Sequence, residues 1–108
     1  MKRDFLHISD FTSQEILDLI SFAGELKIKI RNKDFTPPFK NHSLAMVFAK
    51  QSARTRVSFE TGFNMLGGHA VYLSPNDISI GEREEVKDIA RVLSGYNDMI
   101  MALSLIHI

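Results

Sequence analysis

The chain has 108 residues, with 13 Lys and Arg balanced by 13 Asp and Glu, and no cysteine. That length suits one domain with a modest core, and the lack of Cys removes disulfides, thiolate metal sites and a Cys nucleophile. A formal net charge of zero argues against a nucleic-acid partner or an anionic membrane surface. Met1-Lys2-Arg3-Asp4 leads into a mixed polar segment, and no apolar run approaches the ~20 residues of a membrane span. A cytoplasmic, membrane-free domain is the expectation.

In chain order, Thr12-Ser13-Gln14-Glu15 reads as a capping box, a hydroxyl at the N-cap answered by a Glu three residues later. Ile16, Leu17, Leu19, Ile20, Ala23 and Leu26 follow at helical spacing, which predicts a helix over 13–31. The segment 32–40, holding Pro37 and Pro38, ends it. Residues 43–48, Ser-Leu-Ala-Met-Val-Phe, form an apolar run without alternation, the mark of a parallel strand covered on both faces. A polar loop over 50–55 precedes a second helix marked by Val57, Phe59, Phe63, Met65 and Leu66, which stops at Gly67-Gly68. Phe59, Phe63 and Met65 are assigned to the core. Residues 69–73 are a second strand, 74–81 a loop, and Glu84, Val86, Ile89, Val92 and Leu93 a third helix ending near Gly95. A third strand is expected over 98–103. This alternation predicts an α/β fold, a parallel sheet with helices on its faces.

In open parallel sheets, ligands bind beyond the carboxyl ends of the strands. The loop Lys50-Gln51-Ser52-Ala53-Arg54-Thr55-Arg56 lies there, at the start of a helix. Helix N-termini present unpaired N–H groups and a partial positive charge, which favour an anion. Hydroxyls at Ser52 and Thr55 and a guanidinium at Arg54 suit phosphate oxygens. Charge is uneven along the chain, residues 1–54 carrying nine Lys and Arg against six acids and residues 55–108 four against seven, and Arg54 and Arg56 sit close together. On spacing alone, a plain helix cap with solvated arginines is an equal alternative. Arg56 is assigned a structural role, pairing with Glu60 one turn on. His7, His42 and His69 show no metal-ligand spacing and are read as surface or packing residues.

The stretch from Phe48 to Glu60, Phe-Ala-Lys-Gln-Ser-Ala-Arg-Thr-Arg-Val-Ser-Phe-Glu, followed by Leu66-Gly67-Gly68, strongly resembles the carbamoyl phosphate-binding motif of the aspartate/ornithine carbamoyltransferase family. Phe5-Leu6 and residues 88–94 (Asp-Ile-Ala-Arg-Val-Leu-Ser) extend the resemblance over 4–102. Tyr72-Leu73-Ser74-Pro75, leading to Ile80-Gly81 and Glu84, resembles the ornithine branch. The aspartate branch carries a Lys-Gly-Glu in this loop, where Ser79-Ile80-Gly81 stands here.

The resemblance implies transfer of a carbamoyl group from carbamoyl phosphate to ornithine, without metal, cofactor or covalent enzyme intermediate, in a homotrimer serving arginine biosynthesis. It implies carbamoyl phosphate contacts from Ser52, Ala53, Arg54, Thr55 and Ser79, with Arg54 also catalytic and Glu84 a subunit-interface partner. Two of these depart from the family pattern: Ala53 replaces Thr and keeps only its amide, and Ser79 replaces a longer Gln. The otherwise solvated run 82–85 opens the third helix. The expected domain is 1–102, with 103–108 a tail unlike the family, since Leu103 stands where an Arg is usual. The family enzyme is roughly three times longer and binds ornithine in a second domain, so the expected chain is a fragment holding the carbamoyl phosphate half-site and inactive alone. A non-catalytic phosphate-binding or oligomerisation fragment, or a carbamoyltransferase for aspartate or another amine, are the alternatives.

Overall fold

A computed structural model describes residues 3–78 and 86–103. The chain divides after Thr36 into two units, taken separately below.

The first unit holds a 3-10 turn, Ile8–Asp10, and helix α1, Ser13–Arg31. The helix begins where the capping box places it: Thr12 Oγ1 accepts from the Glu15 amide (3.1 Å), and Glu15 Oε1 accepts from the Thr12 amide (2.8 Å). Two of the orphan amides of the first turn are thereby satisfied. Arg3 closes on the same carboxylate, lies over the Phe11 ring and bonds the Asp10 carbonyl (2.9 Å). The Arg3 hydrogen bond, then the Thr12 amide, hold the Glu15 carboxyl down at about 2. At its other end α1 closes on Lys33 in the left-handed region (φ 54°), with Lys33 N–H on Ile30 O and Asp34 N–H on Lys29 O. None of its residues is buried, and the expected apolar stripe is only partly sheltered, at Ile16 and Leu26.

The second unit is a three-stranded parallel sheet of β1 (Ser43–Phe48), β2 (His69–Leu73) and β3 (Met99–Leu103) in the order β2-β1-β3. Its helices are α2 (Ala53–Met65), the short α3 (Pro75–Ile78) and α4 (Val86–Tyr96). Central β1 pairs Met46 with Tyr72 on one side and with Met101 on the other. Its side chains alternate between two cores. Leu44, Met46 and Phe48 meet Phe63 of α2; Val47 meets Ile89 of α4. The chain steps from β1 to β2 in one direction, then recrosses β1 to reach β3. Right-handed crossovers of opposite direction put their helices on opposite faces, as the two cores require. Residues 44–48 are all buried, so both faces are covered as the unalternating sequence predicts.

Three expectations meet corrections. The loop after β1 is shorter than expected, because helical geometry already begins at Ala53. The connection after β2 contains α3, nucleated by Ser74 and Asp77: the Ser74 amide and hydroxyl both donate to Asp77 Oδ2 (2.8 Å each). Those bonds, the amide first, hold the Asp77 carboxyl below its usual range. Of the three residues assigned to the core of α2, Phe63 is buried, whereas Phe59 (46%) and Met65 (53%) are exposed. A helix lying on a sheet buries one narrow stripe, and Phe63 occupies it, stacked on Phe39 (centroids 4.8 Å apart). Leu103 closes β3 opposite Phe48, within the strand expected over 98–103, and its carbonyl accepts from the Ala49 amide (2.8 Å).

The end of α2 shows why two glycines are needed. Gly67, at φ 94°, sends its N–H to Asn64 O, and Gly68 sends its N–H to Phe63 O. A Cβ on Gly68 would lie 2.1 Å from the Phe63 ring. Gly68→Ala is therefore expected to cost about 1–3 kcal/mol through overpacking. Gly62→Ala, inside α2 with open space around it, should gain about 0.5–1 kcal/mol. Urea unfolding of both variants checks the pair; a shared sign would contradict this packing. A second prediction concerns Glu15. Because its folded pKa is lowered, its contribution to α1 is complete above the usual carboxylate range and is lost as pH falls toward 2. Carbon-detected titration should place its midpoint near 2, and Arg3→Ala should move it upward.

Candidate functional site: the N-terminus of α2

β1 runs buried to its last residue, Phe48, and the chain then turns within four residues into α2. This places the first turn of α2 at the carboxyl end of the central strand, where the chain path reverses direction across the sheet. Crevices at such points are where open α/β sheets bind ligands.

Ser52 is the N-cap residue, in extended conformation, and its carbonyl accepts the first helical bond from the Arg56 amide (3.0 Å). Its side chain makes no cap bond. Instead Ser52 Oγ donates to Thr55 Oγ1 (2.9 Å). The amides of Ala53, Arg54 and Thr55 consequently have no hydrogen-bond partner among the described residues. Three orphan N–H groups at the positive end of a 13-residue helix are the kind of arrangement that favours an anion. With its proton given to Thr55, Ser52 presents only lone pairs. The Thr55 hydroxyl keeps its own proton for an incoming oxygen.

The two arginines of the motif take different roles. Arg54 is exposed and makes no ion pair among the described residues, so its five N–H donors are available. Arg56 is engaged: its Nε donates to Glu60 Oε1 (3.1 Å), the expected i,i+4 pair. Its guanidinium also lies 3.8 Å from the centroid of the Tyr72 ring. That second partner leaves no mark in the sequence, because a helix-to-strand contact depends on crossover packing and has no characteristic spacing. The structure thus brings Ser52, Ala53, Arg54 and Thr55 together on one helical turn. Ser79 and Glu84, also assigned to the site, lie outside the described residues.

Among the described residues no group of three His, Asp or Glu side chains could hold a metal ion. His42 is occupied locally, Nδ1 against Lys40 O (2.9 Å), and its ring stands edge-on to Phe39. His7 precedes the 3-10 turn and His69 opens β2; both are exposed. No described helix is long and apolar enough to cross a membrane.

The chain is similar to known proteins along nearly its whole length. Residues 3–104 match the family described as aspartate/ornithine carbamoyltransferase, carbamoyl-P binding domain. The chloroplastic ornithine carbamoyltransferase of Pisum sativum is 56% identical over 101 residues, covering 93% of this chain and 27% of the pea protein. An ornithine carbamoyltransferase of Campylobacter curvus is 50% identical over 99 residues, covering 92% of this chain and 33% of that protein. The solved ornithine carbamoyltransferase of Pyrococcus furiosus superposes with a TM-score of 0.86 at 43% identity, over 93% of this chain and 32% of that one. The catalytic subunit of M. jannaschii aspartate transcarbamoylase superposes with 0.80 at 32% identity, over 90% of this chain and 32% of that one. The chain thus spans about a third of the length of the relatives it matches. With nearly its whole length matched and its sheet and helices shared with solved members, the chain belongs to the aspartate/ornithine carbamoyltransferase family, as that family's carbamoyl phosphate-binding domain.

Proposed function

We propose that this chain supplies the carbamoyl phosphate half-site of an ornithine carbamoyltransferase, a transferase that makes citrulline and phosphate from carbamoyl phosphate and ornithine. One observation carries the reading: among the described residues, the amides of Ala53, Arg54 and Thr55 have no hydrogen-bond partner and share a helical turn with an Arg54 guanidinium that makes no ion pair. That is a site for a small, doubly charged oxyanion. The pea and Campylobacter relatives, both named ornithine carbamoyltransferase, support the choice of acceptor.

In this mechanism the amine of ornithine attacks the carbamoyl carbon, the carbonyl oxygen takes up negative charge, and the tetrahedral intermediate collapses with departure of phosphate. Charge grows on the carbonyl oxygen and then on the leaving phosphate. The amides of α2 are fixed dipoles aimed at the phosphate, so they stabilise that charge without reorganising as the reaction proceeds. Arg54 grips two phosphate oxygens in parallel and neutralises the leaving group. Thr55 donates to a phosphate oxygen or to the carbonyl oxygen. Ala53 contributes its amide alone, one hydroxyl contact fewer than the family's Thr. Ser79 reaches the ligand as a short donor, and Glu84 orders an arginine across a subunit boundary.

The acceptor amine is bound by residues in the part of the relatives' length that this chain does not span. The assembly is a homotrimer acting in arginine biosynthesis. A cysteine-free sequence suits any reducing compartment, the cytoplasm being the one proposed here, although the pea relative is chloroplastic.

Arg54→Ala should weaken carbamoyl phosphate and inorganic phosphate together, by roughly tenfold or more, since a hydrogen bond to a charged group contributes about 1.5–3 kcal/mol. Arg54→Lys should recover only part of the loss, because an ammonium cannot grip two oxygens in parallel. Calorimetric titration of the three proteins tests the assignment; unchanged affinity in Arg54→Ala would refute it.

A further inference from the structure

The first turn of α2, which holds the proposed cradle, is only partly covered, with Ser52 and Thr55 half-buried. Ala53 and Arg54 are exposed, Val57 is 61% exposed and Phe59 46%. The buried anchor of the helix, Phe63, lies more than two turns downstream. What reaches the sheet from the first turn is Arg56. Its guanidinium rests on Tyr72 (3.8 Å to the centroid) while its Nε is held by Glu60 (3.1 Å). Tyr72 is fixed in turn. It pairs with Met46 in the sheet, and its ring meets Phe48 edge-on (centroids 5.2 Å apart, 66° between planes). Phe48 is the fully buried last residue of β1, from which the chain enters the cradle.

We propose that Arg56 is a positioning residue for the anion site, clamping the first turn of α2 to Tyr72 so that the amides of Ala53, Arg54 and Thr55 converge on one point. The inference rests on the reading of that turn as a phosphate site. The guanidinium suits the task in two ways. Its flat face stacks on an aromatic ring while its edge still donates to a carboxylate, which a lysine cannot do together. Glu60 neutralises its charge and occupies its Nε, which leaves phosphate to Arg54. Two arginines in one motif thereby divide the work: Arg54 binds, and Arg56 aims.

The test uses Arg56→Lys, Tyr72→Leu and Tyr72→Phe in the full chain, with two measurements. The first is amide hydrogen exchange without ligand. Arg56→Lys and Tyr72→Leu should speed exchange of the Arg56 amide, which bonds Ser52 O, while the amides around Phe63 keep their protection. Tyr72→Phe keeps the ring face and should match the parent. The second is titration with inorganic phosphate. Losing a partly exposed cation–ring contact should weaken phosphate about fivefold in Arg56→Lys and Tyr72→Leu and leave Tyr72→Phe unchanged. Faster exchange with unaltered phosphate affinity would overturn the positioning role, and so would unaltered exchange. If the parent chain binds no phosphate while the exchange pattern holds, the clamp stands as a tether but the phosphate site, and with it the positioning role, falls. A uniform loss of protection reaching Phe63 in Tyr72→Leu would make Tyr72 a general core residue and count against a local clamp.

Discussion

Burial of β1 on both faces is the constraint on which the rest of the structure depends. Residues 44–48 are taken out of water in succession, with even positions packed toward α2 and odd position 47 toward α4. A strand so covered cannot be an edge, and β2 and β3 must flank it in parallel. Parallel neighbours require crossovers, and their handedness puts α2 and α4 on opposite faces. The polar chain emerging after Phe48 is then delivered to the carboxyl edge of the sheet with a helix about to start. The position of the proposed cradle is thus a consequence of a hydrophobic strand in the middle of a small sheet.

Those residues show how a site can be made by withholding bonds. An N-cap serine ordinarily closes onto an amide of its own helix. Ser52 turns to Thr55 instead, and the amides stay open. Thr12, the N-cap of α1, makes the opposite choice and completes a full capping box with Glu15. One helix start is sealed and stabilising; the other has no partner for its first amides among the described residues, a stability cost that a proposed site there would explain. Arg54, without an ion pair among the described residues, and Arg56, doubly held, follow the same division.

Much of this was legible in the sequence because it is local. The capping box at Thr12 and Glu15 set the start of α1, and the positions of β1 and β2 followed from composition and length. Gly67-Gly68 marked the end of α2 because the closing turn needs a positive φ followed by a residue without a Cβ. The site motif stood out through its linked residues, and the structure gathers four of them on one turn. What escaped was non-local or marginal. Phe59 and Met65 have the right chemistry for a core, but whether a helical position is covered depends on which stripe meets the sheet. The four-residue α3 is too short to leave a periodic signal, and its hydroxyl–carboxylate start is also a loop pattern. Tyr72 as the platform for Arg56 needed the packing of α2 on β2 to be known.

The central claim is that the first turn of α2 is an open amide cradle for phosphate. Backbone amide NMR of the chain titrated with inorganic phosphate tests it most directly. Saturable downfield shifts are expected at Ala53, Arg54 and Thr55, with the first turn of α1, already capped, unmoved. Shifts absent from those three amides at saturating phosphate, or spread equally over both helix starts, would contradict it.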